Sequence, residues 1–174
     1  MPRNVEIKAR IASVEALLPV ARALADGVPQ PIEQDDTFFV CGHGRLKLRD
    51  FGNGQGELIY YHRVDTDGPK LSDYVRVVTH EPAALREALA RALGVLGRVR
   101  KQRLLLLVGQ TRIHLDRVDG LGDFVEIEVV LRDDQTEAGG AATAQALLRQ
   151  LGVASGQRLT GAYLDLLVNR DEHA

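Results

Sequence analysis

Much of this chain alternates apolar and polar residues with a period of two, as strands do when one face meets a core. In residues 4–10, Val5, Ile7 and Ala9 share one face, and Asn4, Glu6, Lys8 and Arg10 the other. Residues 30–35 read as a linker, and Thr37–Cys41 as a short strand turned by His43-Gly44. Arg45, Lys47 and Arg49 then alternate with Leu46 and Leu48. Glu57–Arg63 is a further strand, 64–72 a polar loop, and Tyr74, Arg76 and Val78 alternate with Val75 and Val77. Val99–Val108 carries Lys101 and Arg103 on one face. Gly109-Gln110 suits a two-residue turn, which would set Arg103 across from Asp116 in the next strand.

Helical spacing takes over in the other segments. Ser13 can cap a helix carrying Val14, Leu17, Leu18, Ala21 and Leu24, which Pro19 should bend or delay. Pro82 suits the first turn of a second helix, with a stripe of Leu85, Leu89, Leu93 and Leu96. A third carries Ala144, Leu147, Leu148 and Leu151 and ends at Gly152. A short last helix holds Tyr163, Leu164 and Leu167, with a frayed tail from Asn169 to Ala174. The tally is about eight strands and four helices. The strands are mostly consecutive, so the sheet should be largely antiparallel.

The stretch that concentrates charge is Thr111–Val130. Arg112, His114 and Asp116 share a face, Asp119-Gly120 and Gly122 break the run, and Glu126 and Glu128 share a face after it. A loop centred on Leu121 would set Asp116 opposite Glu126 and His114 opposite Glu128. Carboxylates about 4 Å apart repel by roughly 4 kcal/mol at an effective dielectric of about 20. Either this face is solvated or a divalent cation sits there.

Composition narrows the choice. The 174 residues suit one domain with a real core, 45% hydrophobic and 26% charged. A net charge of -2 gives no global basic field of the kind that binds nucleic acid. The single cysteine, Cys41, excludes an internal disulfide and a multi-cysteine zinc site, and suits a reducing cytosol. No signal peptide or membrane-length apolar run is evident, so a cytoplasmic protein is expected. GLG at 120–122 is a turn rather than a dinucleotide fingerprint, since no helix follows it.

Alternating charged strands are usually the solvated face of a half-buried sheet. Here the helices carry apolar stripes that need an apolar sheet face to cover. Eight antiparallel strands tend to curl or close, which would turn the charged faces inward. An interior with ten cations (Lys8, Arg10, Arg45, Lys47, Arg49, Arg63, Arg76, Lys101, Arg103 and Arg112) against four acids (Glu6, Asp116, Glu126 and Glu128) is untenable when empty, because each unpaired buried charge costs several kcal/mol. Filled by a polyanion, with acids grouped around a metal ion, it becomes reasonable. Oxygen ligands without cysteine favour Mg²⁺ or Mn²⁺.

NVEIKAR at 4–10, KLR at 47–49, VRKQR at 99–103, IHLD at 113–116 and GLGDFVEIEV at 120–129 together resemble the CYTH family. That family includes class IV adenylyl cyclases and thiamine triphosphatases and is also called the triphosphate tunnel metalloenzymes. The similarity runs from residue 4 to about residue 167 and is strongest to the cyclase-like branch. It implies a single CYTH-like domain over 1–174 of α+β class: an eight-stranded antiparallel β-barrel, closed or nearly closed, with helices packed outside. The family's N-terminal ExExK pattern falls on Asn4, Glu6 and Lys8, where Asn4 replaces the first glutamate and offers an amide oxygen without charge. By the resemblance, Glu6, Glu126, Glu128 and Asp116 bind metal. Lys8, Lys47, Arg49, Arg76, Lys101, Arg103 and Arg112 grip phosphate, and Asp116, Lys101 and Arg103 take part in catalysis. The implied ligand is ATP, thiamine triphosphate or tripolyphosphate, bound by a monomer or homodimer. The implied activity is cyclisation of ATP with loss of pyrophosphate, or triphosphate hydrolysis. An inorganic triphosphatase and a non-catalytic polyphosphate-binding module are the alternatives.

Overall fold

A computed structural model describes residues 3–63 and 69–172. The elements run β1 (Arg3–Arg10), α1 (Val14–Leu24), β2 (Gln30–Phe39), β3 (Arg45–Asp50), β4 (Gly56–Arg63), β5 (Lys70–Thr79), α2 (Pro82–Leu93), β6 (Val95–Val108), β7 (Thr111–Val118), β8 (Gly122–Leu131), α3 (Glu137–Gln150), β9 (Arg158–Leu159) and α4 (Tyr163–Glu172). Every described pairing is antiparallel. Neighbours follow the order β5-β4-β3-β2-β6-β7-β8-β1, and β5 pairs again with β1 to make a ring. The free edge of β1 is shared: Arg3–Glu6 meet β5, and the two-residue β9 takes up Lys8 and Ala9. The α+β class expected from the pattern is the one observed.

Period-two alternation sorts the side chains of this ring. Val5, Ile7, Leu106, Ile113, Leu115, Val125, Ile127, Val129 and Leu131 point outward into one core with Ala144, Leu147 and Leu148 of α3 and with Val14 and Ala21 of α1. Each such aliphatic side chain contributes roughly 1.5–3 kcal/mol by leaving water. Ser13 caps α1 by accepting from the Ala16 amide, and Thr136 caps α3 from Gly139. A second core lies within the ring, where Phe38, Val99, Val118 and Phe124 meet Tyr163 and Leu164 of α4. Thus α4 packs into one end of the ring. A Cβ on Gly97 would fall 2.5 Å from Leu164 Cδ1, so any larger residue there would require the Leu164 side chain to shift.

Several local expectations need correction. Residues 30–35 are strand, not linker: β2 is continuous from Gln30 and pairs with β6 along its length. Pro31 and the run of polar side chains hide that strand from a reading by composition. Lys70–Ser72 belong to β5, while 64–68 of the expected polar loop lie outside the described residues. Leu96 belongs to β6, not to the stripe of α2, and is exposed. The last helix continues to Glu172. No helix among the described residues is long and apolar enough to cross a membrane.

The two hairpin registers had opposite outcomes. Gly109-Gln110 makes the two-residue turn, and Arg103 faces Asp116 as expected. The β7–β8 loop is centred on Gly120, not on Leu121, so Glu126 faces His114, Glu128 faces Arg112, and Asp116 faces Phe124. Gly120 takes φ +76°, a left-handed position that places the glycine at the apex. The close carboxylate pair Asp116/Glu126 therefore does not form across this ladder.

Candidate functional site

The inward faces of the ring enclose a cavity of about 890 Å³, counted with the solvent at its openings. Lys8, Lys101, Arg103 and Glu126 are each less than a tenth exposed, and Asp116 is fully buried. The alternation of charge is therefore not that of a solvated sheet face. Asn4, Glu6, Lys47, Arg49, Arg76, Arg112 and Glu128 also line the cavity.

Its first charge cluster is built on β2. The fully buried Asp36 carboxylate accepts two hydrogen bonds from Arg49, at 2.8 Å each, and one from Lys47 at 3.1 Å. The Lys101 ammonium stands 3.6 Å away. Burial alone would raise the Asp36 carboxyl, but Arg49, Lys47 and Lys101 outweigh it and hold it well below the usual carboxylate range. Burial and the neighbouring Arg49 bring Lys47 down to about 8. Burial pushes Lys101 well below the normal lysine range, against the attraction of Asp36.

A second cluster spans β6, β7, β8 and α4. Arg103 donates from Nε and Nη2 to the two oxygens of Asp116, at 2.6 Å each, the fork geometry that suits guanidinium and carboxylate. Tyr163 donates its phenol to Asp116 Oδ2 at 2.7 Å. Burial would raise Asp116, but Arg103 prevails and lowers it to about 2. Burial, reinforced by Asp116 and Glu126, pushes the Tyr163 phenol well above its ordinary range. Glu126 joins this cluster to β1: it lies 3.4 Å from Lys8 Nζ, 3.5 Å from Arg103 Nη2 and 3.1 Å from His114 Nδ1.

A third group gathers oxygen donors. Glu6 and Glu128 are directly opposite on the β1–β8 ladder, and Arg112 donates to Glu128 at 2.8 Å. One ligand atom each from His114, Glu126 and Glu128 lies within 4.8 Å of the others. Asn4 is 5% exposed, lines the cavity two residues before Glu6, and its Oδ1 is a buried acceptor with no partner among the described residues.

The predicted positions thus come together, with differences in detail. Lys8, Lys47, Arg49, Lys101 and Arg103 meet in the two inner clusters. Arg112 stands with the acids, and Arg76 is half exposed, 3.6 Å from Glu57. Asp116 is not one of the three residues whose ligand atoms converge, and both of its oxygens are held by Arg103 and Tyr163. His114 sits where a carboxylate was expected. Sequence reasoning missed Asp36, which fell between the supposed linker at 30–35 and the strand read from Thr37. The alternation of Gln34, Asp36 and Phe38 was the available signal. It also missed Tyr163, read only as part of an apolar helix face.

The sequence matches the family model described as the CYTH domain over residues 2–163, and the chain belongs to that family. No curated protein is significantly similar to it in sequence. Among solved structures, the PH1012 protein of Pyrococcus horikoshii OT3 superposes with a TM-score of 0.83 at 23% identity, covering 94% of this chain and 98% of its own. A candidate adenylate cyclase of Vibrio parahaemolyticus gives 0.77 at 20%, covering 95% and 97%. A Hippeastrum protein, described as a candidate adenylyl cyclase with a dominant triphosphatase activity, gives 0.68 at 16%, covering 99% and 96%. At these identities the likeness is one of fold.

Proposed function

We propose that this CYTH protein is a metal-dependent enzyme that holds the triphosphate of a small molecule inside the ring and breaks one of its phosphoanhydride bonds. The observation that supports this reading most is the charge of the inner cavity. The lining carries seven cations (Lys8, Lys47, Arg49, Arg76, Lys101, Arg103 and Arg112) against five acids (Glu6, Asp36, Glu57, Glu126 and Glu128), which leaves two positive charges over. An excess of this kind, crowded along one cavity wall, is relieved when an anion shares the space. Arginine forks suit phosphate oxygens in pairs, and lysines act as mobile point charges. The whole chain, 1–174, is taken as one such domain.

The donor set fits a divalent cation. Asn4 Oδ1 is a buried acceptor without a partner among the described residues, and Asn4 lines the same cavity as Glu126 and Glu128, which with His114 bring one ligand atom each within 4.8 Å. Glu6, Glu126 and Glu128 would hold Mg²⁺ or Mn²⁺, with Asn4 as a neutral oxygen. When bound, the ion neutralises charge that develops on phosphate oxygens. The protein's own part is positioning. Asp36 orients Arg49 and Lys47, and Asp116 orients Arg103, so the cations meet the phosphates already in place. Lys101 and Arg103 are the groups assigned to touch the reacting phosphate. Asp116 acts through Arg103 rather than as a ligand. A water as nucleophile gives hydrolysis, and a ribose 3′-hydroxyl gives cyclisation with pyrophosphate leaving.

The test is incubation with ATP, thiamine triphosphate and tripolyphosphate, each with Mg²⁺, Mn²⁺ or EDTA. Consumption that depends on the metal is expected. Cyclic AMP with pyrophosphate identifies a cyclase, and free phosphate a triphosphatase. Tight binding without turnover would replace this reading by a non-catalytic polyphosphate-binding module. Glu126→Gln keeps the side-chain shape and removes its charge. It should lower turnover at saturating Mg²⁺ at least about 100-fold and also lower the melting temperature, because Lys8 and Arg103 lose a buried counter-charge; full turnover in the folded variant would remove Glu126 from the site.

A further inference from the structure

Most of the charged groups described above belong to the ring, but one residue that touches them does not. Tyr163 is the first residue of α4, and it enters the end of the ring that the helix packs into. Its phenol donates to Asp116 at 2.7 Å, and Asp116 in turn fixes the Arg103 fork. Its ring lies 3.7 Å from the Lys8 ammonium and 5.1 Å from that of Lys101, measured to the ring centroid. Phe124 packs against the same ring, with centroids 4.9 Å apart. The side chain is 4% exposed. A core tyrosine needs one hydrogen-bond partner and apolar neighbours. This one also spends its ring on two ammonium groups and its hydroxyl on the carboxylate behind a guanidinium.

The rest of α4 is anchored so that this placement is repeatable. Asp165 accepts from the Ala162 amide at 2.9 Å and from Arg45 of β3 at the same distance. Arg170 donates to the Gly120 carbonyl at 2.7 Å, tying the helix to the β7–β8 turn. Leu164 fills the space that Gly97 leaves open.

We propose that Tyr163 is a positioning residue for phosphate recognition, presetting Lys8 and Lys101 through its ring and Arg103 through Asp116. The inference rests on the triphosphate reading of the cavity. A buried lysine ammonium that is poorly solvated gains from the face of an aromatic ring. The ring holds Lys8 and Lys101 side by side before any ligand arrives, so less side-chain freedom is lost on binding.

The test measures tripolyphosphate binding calorimetrically on the full chain for wild type, Tyr163→Phe and Tyr163→Leu. Phenylalanine keeps the ring and loses only the bond to Asp116, and leucine loses both. Affinity should fall about threefold for phenylalanine and about thirtyfold for leucine, the gap being the share carried by the ring. A merely structural role predicts equal losses in the two variants, or losses that track melting temperature alone; either would overturn the inference. If the leucine variant fails to fold, the wild-type protein decides by NMR. The ε-methylene protons of Lys8 should be shifted upfield by the ring, and should move when tripolyphosphate binds. Unshifted protons there would overturn it. Wild-type protein that does not bind tripolyphosphate at all would overturn the phosphate reading itself, and this inference with it.

Discussion

Arg103→Ala should be the most damaging single substitution in the ring, lowering stability by about 3–5 kcal/mol and abolishing measurable tripolyphosphate binding. The stability loss follows from what is left behind. Asp116 is fully buried, and Arg103 supplies two of its hydrogen bonds at 2.6 Å. Without the guanidinium the carboxylate keeps the Tyr163 phenol and the more distant charge of Lys101. Arg103 is what holds the Asp116 carboxyl down to about 2. Its removal leaves a charge that burial strongly disfavours, so Asp116 either takes up a proton or the region opens. Glu126 loses a neighbour at 3.5 Å as well. Denaturant unfolding measures the first effect and calorimetry the second. The double variant Arg103→Ala with Asp116→Asn separates them, because it removes the stranded charge. It should regain about half of the lost stability while binding stays absent. A single variant within about 1 kcal/mol of wild type would mean that Asp116 does not depend on Arg103.

How much of this was legible beforehand depends on the range of the interaction. The outward faces were plain, because Val5, Ile7, Ile113, Leu115, Val125 and Ile127 alternate strictly and meet helices with readable stripes. The Arg103–Asp116 pair was legible too, since a two-residue turn at Gly109-Gln110 leaves little choice of register. The next hairpin shows the limit of the method. A shift of its centre by one residue, from Leu121 to Gly120, moved every cross-strand pair by two and exchanged Asp116 for His114 opposite Glu126. Gly120 and Gly122 both take positive φ, at +76° and +103°, so the presence of two glycines did not by itself say which residue sits at the apex. Tyr163 was out of reach for another reason. It contacts Asp116 across 47 residues from a helix whose local pattern looks like ordinary packing. Closure of the ring through β1 and β5 is equally non-local. Asp36 lay within reach, and a polar stretch with a proline concealed it.

Lys47→Met should stabilise the protein without ligand while weakening triphosphate binding about tenfold or more, a trade that only a functional lysine would show. Burial and Arg49 bring the Lys47 pKa from 10.5 to about 8. A fall of that size means the folded state disfavours the charged form by about 3 kcal/mol relative to the unfolded chain at neutral pH. The sign follows from proton counting. Below pH 8 both states carry the proton and the penalty is present in full. Between about 8 and 10.5 the folded protein releases the proton that the unfolded chain keeps, so wild-type stability should rise with pH across that window. Methionine fills a similar volume with no charge, and Asp36 keeps Arg49 at 2.8 Å and Lys101 at 3.6 Å. The lost hydrogen bond from Lys47, at 3.1 Å, offsets about 1 kcal/mol of the gain. The net expectation is a melting temperature a few degrees higher at pH 7 and a shallower rise of stability between pH 8 and 10.5. A lower melting temperature with an unchanged pH slope would show that Lys47 is held for the fold rather than for an anion. The balance matters because the ring spends stability on cations crowded where water is scarce, and a guest with several negative charges reverses the sign of each of those penalties.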